Sequence, residues 1–178
     1  MADTRRTKAQ VLALLADNVI GAISAQDIRD WLVTSFGGYA SININDGSTG
    51  QVTGGTTPVK FTSFNTTEGN NGPSDGFTPD KANSKITVDT DCVVKIDCGF
   101  AFSGTSNALV EVYLYKNGVD TGLGFHRKLG TAGDVGSGGF CGIVEASASD
   151  YFELYIETPN GSATVTAENV QLCLIQIS

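Results

Sequence analysis

The 178-residue sequence predicts a mainly β protein, an antiparallel jelly-roll sandwich preceded by two short α-helices. About eight short segments alternate apolar and polar residues, as strands with one buried face do. The chain also has 22 glycines but only 4 prolines, which is typical of many tight turns. Helical spacing of apolar residues is confined to the first 36 positions. We therefore expect a helical anchor at 1–36, a Gly/Ser/Asn-rich linker at 37–55 and a jelly-roll domain at 56–178.

The anchor is expected to contain two helices. Thr7 and Gln10 form a capping box at the start of the first helix, and Ser24 is the N-cap of the second. Four apolar residues of the second helix fall at i, i+3, i+4 and i+8 and form one stripe: Ile28, Trp31, Leu32 and Phe36. Neither helix is long enough to be stable alone, so we expect this stripe to bury against another surface.

The strands are expected to begin after the linker. Segment 37–55 is rich in Gly, Ser, Asn, Asp and Thr and shows no periodicity, which is why it predicts a linker. Short strands are expected at 58–61 and 86–88, with a loop at 68–80 between them. The clearest strand covers 92–102, where apolar residues alternate with more polar ones over the whole length.

The second half of the domain continues the strand pattern. A strand at 108–116 ends at Asn117-Gly118, a strong hairpin signal. The glycine-rich stretch 127–139 predicts a loop before a short strand at 140–144. The last two strands are expected at 151–157 and 163–177.

Tyrosines occupy the more polar side of two predicted strands. These residues are Tyr113, Tyr115, Tyr151 and Tyr155. Tyrosine is rigid and amphipathic, and it is enriched where one protein meets another. The four side chains therefore predict a subunit interface; the alternative is a set of scattered surface tyrosines.

The charge distribution bounds the possible partners. The net charge is −8, and residues 1–36 hold four basic and four acidic side chains, so residues 37–178 carry the whole charge. Such a surface repels phosphate backbones and anionic membranes. No stretch approaches the ~20 apolar residues of a membrane span, and 11–16 is too short for a signal peptide. We expect no nucleic-acid and no membrane partner, and synthesis in a cytoplasm.

One segment of the sequence indicates a different function. Residues 23–32, ISAQDIRDWL, are similar to the second half of a helix-turn-helix that reads DNA. The exposed positions of such a helix would include Gln26, Arg29 and Asp30, and acidic side chains there would meet phosphates. The inward stripe explains the same residues better, so a DNA-binding regulator is the weaker hypothesis.

The residues that carry catalytic chemistry do not form a recognisable set. His126 is the only histidine, and no Gly-x-Ser-x-Gly elbow accompanies it. Asp89 and Asp91 fall short of the six to eight oxygen ligands that Ca²⁺ takes. Cys92, Cys98, Cys141 and Cys173 lack metal-ligand spacing, which favours four reduced, buried thiols over a cross-strand disulfide. We expect no enzyme, no metal and no cofactor.

Several phrases resemble a known family. Strands 86–88 and 92–102, the phrase Val112-Tyr-Leu-Tyr-Lys-Asn-Gly118 and the closing strand at 172–175 resemble the trimeric jelly rolls of the complement globular-head and tumour-necrosis-factor type. The phrase Ala148-Ser-Asp-Tyr-Phe-Glu-Leu154 is similar to the acidic turn of that family, although Ser149 replaces its usual Gly.

The sequence is similar more particularly to virion proteins of tailed bacteriophages that join short N-terminal helices to such a jelly roll. The phrases at 46–49, 57–60 and 78–80 suit that group, and the resemblance covers roughly 46–178. It implies a non-enzymatic homotrimer in the virion, packed on aromatic faces about a threefold axis. Such a protein serves as a capsid decoration, a head or collar fibre or a tail-fibre knob, and its helices bind other virion proteins.

A second hypothesis has the same fold but a different function. In this hypothesis, the chain is the receptor- or carbohydrate-binding tip of a tail fibre. Loops at 68–77 and 118–139 would then contact a glycan of the host surface. A decoration protein and a binding tip differ in which surface matters.

Overall fold

The computed structural model describes residues 24–35, 37–45, 51–131 and 134–177, together with Arg6, Gln10 and Ala13. Its helix α1 spans Ala25–Ser35, and a single 3-10 turn spans Lys81–Asn83. The strands are β1 (Tyr39–Asn45), β2 (Gln51–Gly54), β3 (Val59–Lys60), β4 (Gly69–Asn71), β5 (Phe77–Asp80), β6 (Lys85–Val88), β7 (Cys92–Gly104), β8 (Leu109–Lys116), β9 (Val119–Lys128), β10 (Gly136–Ala146), β11 (Tyr151–Glu157) and β12 (Ala163–Gln176).

The strands form two antiparallel sheets. Sheet A has the order β10-β7-β12-β1-β4, and β2 also pairs with β12. Sheet B has the order β5-β6-β11-β8-β9, and β3 also pairs with β11. From β6 onward the chain crosses between the sheets repeatedly, so that long antiparallel neighbours come from distant parts of the sequence. The predicted jelly-roll sandwich is confirmed.

The core lies between the two sheets. Alternate residues of β7, β8, β11 and β12 are buried, as the strand patterns predict. A cluster of aromatic rings fills one part of this core, with ring centroids 5.1 Å apart between Phe61 and Phe64 and also between Phe61 and Phe100. The edge-on geometry of both pairs is the one that aromatic quadrupoles favour.

The segment predicted as a linker contains the first strand. Tyr39–Asn45 pairs with β12 along its whole length and buries Ala40, Ile42 and Ile44. The linker prediction for 37–55 is therefore wrong in this part. These three apolar residues alternate, but the Gly- and Asn-rich surroundings hide the short pattern until β12 supplies a pairing partner.

The stretch predicted as a loop at 127–139 is strand at both of its ends. Strand β10 already begins at Gly136, and β9 extends to Lys128. The glycines serve packing here. A Cβ atom on Gly138 would clash with the Phe125 ring, and one on Gly142 would clash with the Leu123 side chain. Since these two β9 side chains reach across to β10, the glycines let the sheets close at this edge.

Other local predictions have mixed outcomes. The predicted loop at 68–80 contains β4 and β5. All four cysteines are free thiols, but only Cys98 is buried, and Cys141 is exposed because it points outward from β10. Burial raises the pKa of Cys98 to about 12. Gln10 and Ala13 are helical, and the rest of the predicted first helix lies outside the described residues.

Candidate functional site

Helix α1 begins with the predicted cap. The Ser24 backbone N–H donates to Asp27 Oδ2 at 2.8 Å, and the Asp27 N–H donates to Ser24 Oγ at 3.1 Å. The hydrogen bonds from Ser24 hold the pKa of Asp27 below its usual value. These reciprocal bonds satisfy N–H groups that the first helical turn leaves without partners.

The apolar stripe of α1 faces outward. Ile28, Trp31 and Leu32 are 50%, 48% and 42% exposed, and Phe36 lies outside the described residues. The buried side of the helix instead carries Asp30, whose carboxylate pairs with Arg6 Nε at 2.7 Å. About half of each of these three side chains thus stays exposed, and Asp30 does not face outward as a DNA-reading helix would place it.

The four predicted interface tyrosines share the outward side of β8 and β11, which we call the tyrosine face. Tyr113 and Tyr155 are register partners across the two strands. The Tyr115 ring stacks on that of Tyr155 with 3.9 Å between centroids. Lys85 Nζ lies 5.0 Å from the centroid of the Tyr151 ring. The structure therefore brings these residues together, and all four are half-buried within the chain.

Carboxylates accompany the tyrosines on this face. Glu111 lies directly opposite Glu157, and the Tyr113 hydroxyl donates to both, at 3.0 Å to Glu157. Burial, followed by the nearby Glu111, raises the pKa of Glu157. Burial and the two carboxylates also raise the pKa of Tyr113 well above its ordinary value. Glu153 is nearly buried and pairs with Lys60.

The sequence already contained a signal for these carboxylates. Glutamates alternate with tyrosines at 111–115 and 153–157, so period-two geometry places them on one face. The sequence did not show that Glu111 and Glu157 meet, because that depends on the register between β8 and β11.

A cavity of about 200 Å³ opens beside Tyr113, at the edge of the tyrosine face. It is lined by Glu111, Tyr113, Asp120, Gly122, Gly124, Phe125 and His126. The pairing of β8 with β9 shifts register between Tyr113 and Tyr115, so β9 bulges at this point. Gly122 adopts φ +77° in the bulge, and its N–H donates to Asp120 Oδ1 at 2.8 Å.

The outer face of sheet A is the second extended surface. It is formed by the outward residues of β10, β7, β12 and β1. Four of its side chains are large, apolar and exposed: Tyr39 (47%), Ile143 (64%), Ile175 (41%) and Ile177 (50%). Lys95 pairs with Asp97 at 2.7 Å near the middle of the face. Gly99 and Gly139 face each other in register, so part of this surface has no side chains.

The sequence predictions missed the outer face of sheet A. Two of its strands, β1 and β10, lie in segments predicted partly as linker and loop. The exposed Ile143 and Ile175 resemble ordinary members of apolar strands in the sequence, and only the pairing shows that they share one row with Tyr39.

The remaining polar candidates have structural partners. Asp89 Oδ1 accepts from Thr78 Oγ1 at 3.0 Å, and Asp91 Oδ1 accepts from the Ala148 N–H at 2.8 Å. Over the described ranges, no three His, Cys, Asp or Glu side chains are placed as metal ligands. No helix in the same ranges is long and apolar enough to cross a membrane.

Comparisons with known proteins find similarity only in structure. No family model matches the chain, and no curated protein matches it in sequence. The fold is similar to that of PRD1 vertex protein P5, with 9% identity, a TM-score of 0.49, and coverage of 79% of this chain and 97% of that one. It is also similar to Eiger TNF from S. frugiperda, with 9% identity, a TM-score of 0.48, and coverage of 79% and 93%. Similarity at this level carries no argument about function.

Proposed function

We propose that this chain is a non-enzymatic structural protein of a tailed-bacteriophage virion, a homotrimer that decorates the capsid or forms a fibre or knob. The resemblance of the sequence over roughly 46–178 supports this role. The observation that carries it is the presence of two exposed apolar surfaces on a jelly roll whose core is complete: the stripe on α1 and the outer face of sheet A. Groups of large apolar side chains that remain exposed are typical of sites where proteins bind one another.

Self-association is best supported on the outer face of sheet A. Its isoleucines keep between 41% and 64% of their surface exposed, and the charges near its centre, Lys95 and Asp97, already neutralise each other. Trimer formation through the tyrosine face would instead bury Glu111 and Glu157, two like charges that lie opposite each other in register. Burying such a pair costs free energy that the tyrosine rings must offset.

The tyrosine interface stays a prediction, and three variants separate the two faces. Wild-type protein at micromolar concentration should sediment at three times the 18.5 kDa chain mass. Ile143→Asp should weaken association at least tenfold, because each copy would bury an additional negative charge beside the Lys95–Asp97 pair. Tyr115→Ala on the tyrosine face and Val119→Asp, at a residue 68% exposed on β9, should leave the trimer intact.

Analytical ultracentrifugation measures all four proteins. Dissociation by Tyr115→Ala with no effect of Ile143→Asp would place the interface on the tyrosine face. A monomeric wild-type chain would refute the homotrimer itself.

A receptor-binding tip remains the alternative, and one observation favours it. The region predicted to contact a host at 118–139 contains β9 and the start of β10, and the cavity opens on β9. A glycan array probed with the full chain distinguishes the two roles, since a pure decoration protein binds no sugar.

A further inference from the structure

The lining of the cavity beside Tyr113 is acidic. The ionisable residues of this lining are Glu111, Asp120, Tyr113 and His126, and it includes no lysine or arginine. We propose that this cavity binds an organic cation, an alkylammonium or guanidinium head group. The proposal does not depend on the trimer, because the cavity lies on sheet B and the proposed self-association face lies on sheet A.

The shape of the cavity follows from two glycines. Gly122 lies in the bulge of β9, where an added Cβ atom would meet nothing within 4 Å, so the space in front of it is empty. At Gly124, opposite Tyr113, an added Cβ would clash with the backbone of Val112 and approach the Tyr113 ring to 3.1 Å. At about 200 Å³, the cavity is large enough for a small head group.

The electrostatics of the cavity favour a positive guest. Glu157 adds a third carboxylate behind Glu111, and the Tyr113 hydroxyl, which lies within hydrogen-bond distance of both, has only one proton to share between them. An ammonium or guanidinium group supplies the missing charge and several N–H donors. Tyr113 and Phe125 also line the cavity, and aromatic rings attract cations that lie over their faces.

Other ligand classes fit less well. An anion would approach Glu111 and Asp120 on a chain with net charge −8, and would be repelled. A hard metal ion needs more oxygen ligands than these two carboxylates supply, and no three-ligand group occurs in the described ranges. A neutral sugar satisfies hydrogen bonds but leaves the carboxylate charges unpaired.

His126 makes the test direct, because it lines the cavity and is the only histidine in the chain. Its ring resonances are followed by NMR while the full-length protein is titrated at constant ionic strength. The cationic probes are n-butylammonium, N-acetyl-lysine methylamide and glucosamine, and the neutral probes are n-butanol and glucose. We expect saturable shifts with the cations and at least tenfold weaker binding of the neutral analogues.

Charge-matched variants separate binding in the cavity from general attraction to an acidic protein. Glu111→Gln with Asp120→Asn should weaken cation binding at least tenfold. Asp89→Asn with Asp91→Asn removes the same charge at two exposed positions outside the cavity, where Asn keeps the accepting oxygen, and should change the affinity less than twofold. Asp120→Asn alone, at an exposed residue, serves if the double variant fails to fold.

The probe that binds best indicates the chemical class of the ligand. Preference for the lysine derivative indicates a side chain of a protein partner, preference for glucosamine an amino sugar, and preference for butylammonium a free amine. Each of these supports the proposal. Absence of a saturable shift, equal binding of the neutral analogues, or equal losses in both double variants would overturn it.

Discussion

Glu157 and Glu111 are two residues of the tyrosine face whose negative charges repel each other. The two carboxylates are opposite each other in register, and Tyr113 donates to both. Like charges directly opposite on neighbouring strands destabilise a sheet. Because burial and Glu111 raise the folded-state pKa of Glu157, the folded protein retains a proton at this site only between the unfolded and the folded pKa.

The raised pKa of Glu157 predicts that the stability of the protein depends on pH. The contribution of Glu157 is fully present below its unfolded pKa of about 4.3 and is lost as pH rises through the higher folded pKa. Glu157→Gln cannot ionise, so at pH 7 it should be more stable than wild type by roughly 0.2–1 kcal/mol, or up to about 2–4 °C in Tm.

Thermal unfolding followed by circular dichroism at pH 4 and pH 7 checks the prediction. The gain should disappear at the lower pH. Glu145→Gln, whose register partner is Val93 and not a carboxylate, should show no such gain. A gain of equal size at both pH values would mean that ionisation of Glu157 is not its cause.

At the scale of elements, the closure of the sandwich depends on β9 and β10. Phe125 and Leu123 of β9 lie where β10 has Gly138 and Gly142. A methyl group at Gly138 would have to displace the Phe125 ring, which also packs near Phe100 and Phe102 in the core. Tight interiors accept such added volume only by shifting side chains or backbone.

Gly138→Ala should therefore destabilise the jelly roll by about 1–3 kcal/mol. Gly55→Ala is the matched control, since an added Cβ there would contact only Ser162 Oγ at 3.8 Å. Its effect should stay within about 0.5 kcal/mol. Urea unfolding measures both free energies, and equal values for the two variants would contradict the packing role of Gly138.

At the scale of the whole molecule, the stripe on α1 allows anchoring to be tested independently of folding. Ile28, Trp31 and Leu32 are about half exposed, so the jelly roll does not depend on them for its core. If α1 binds other virion proteins, the centre of the stripe should dominate that contact, as buried aromatic residues do at interfaces.

Trp31→Ala should reduce the amount of this protein in purified particles at least tenfold, and its Tm should stay within about 2 °C of wild type. Quantitative mass spectrometry of particles assembled with each variant measures the occupancy. Arg29→Ala, on the same helix but off the stripe, is the control. Loss of the fold in Trp31→Ala, or normal occupancy, would contradict an anchoring role.

Much of this architecture was determined locally and could be predicted from the sequence. The alternation at 92–102 marks β7 because burial of every second residue is a property of one strand. The cap formed by Ser24 and Asp27 involves neighbours in the chain, so it could be predicted in the same way. The side of β8 and β11 that carries the tyrosines also followed from strand period alone.

The tertiary structure decided what depends on partners distant in sequence. Strands β1 and β10 have weak intrinsic patterns, and they form because β12 and β7 supply their hydrogen bonds. The opposition of Glu111 and Glu157, the bulge that opens the cavity and the row of Tyr39, Ile143 and Ile175 all depend on register between strands. Register is set by how the whole core packs, and no short stretch of sequence contains it.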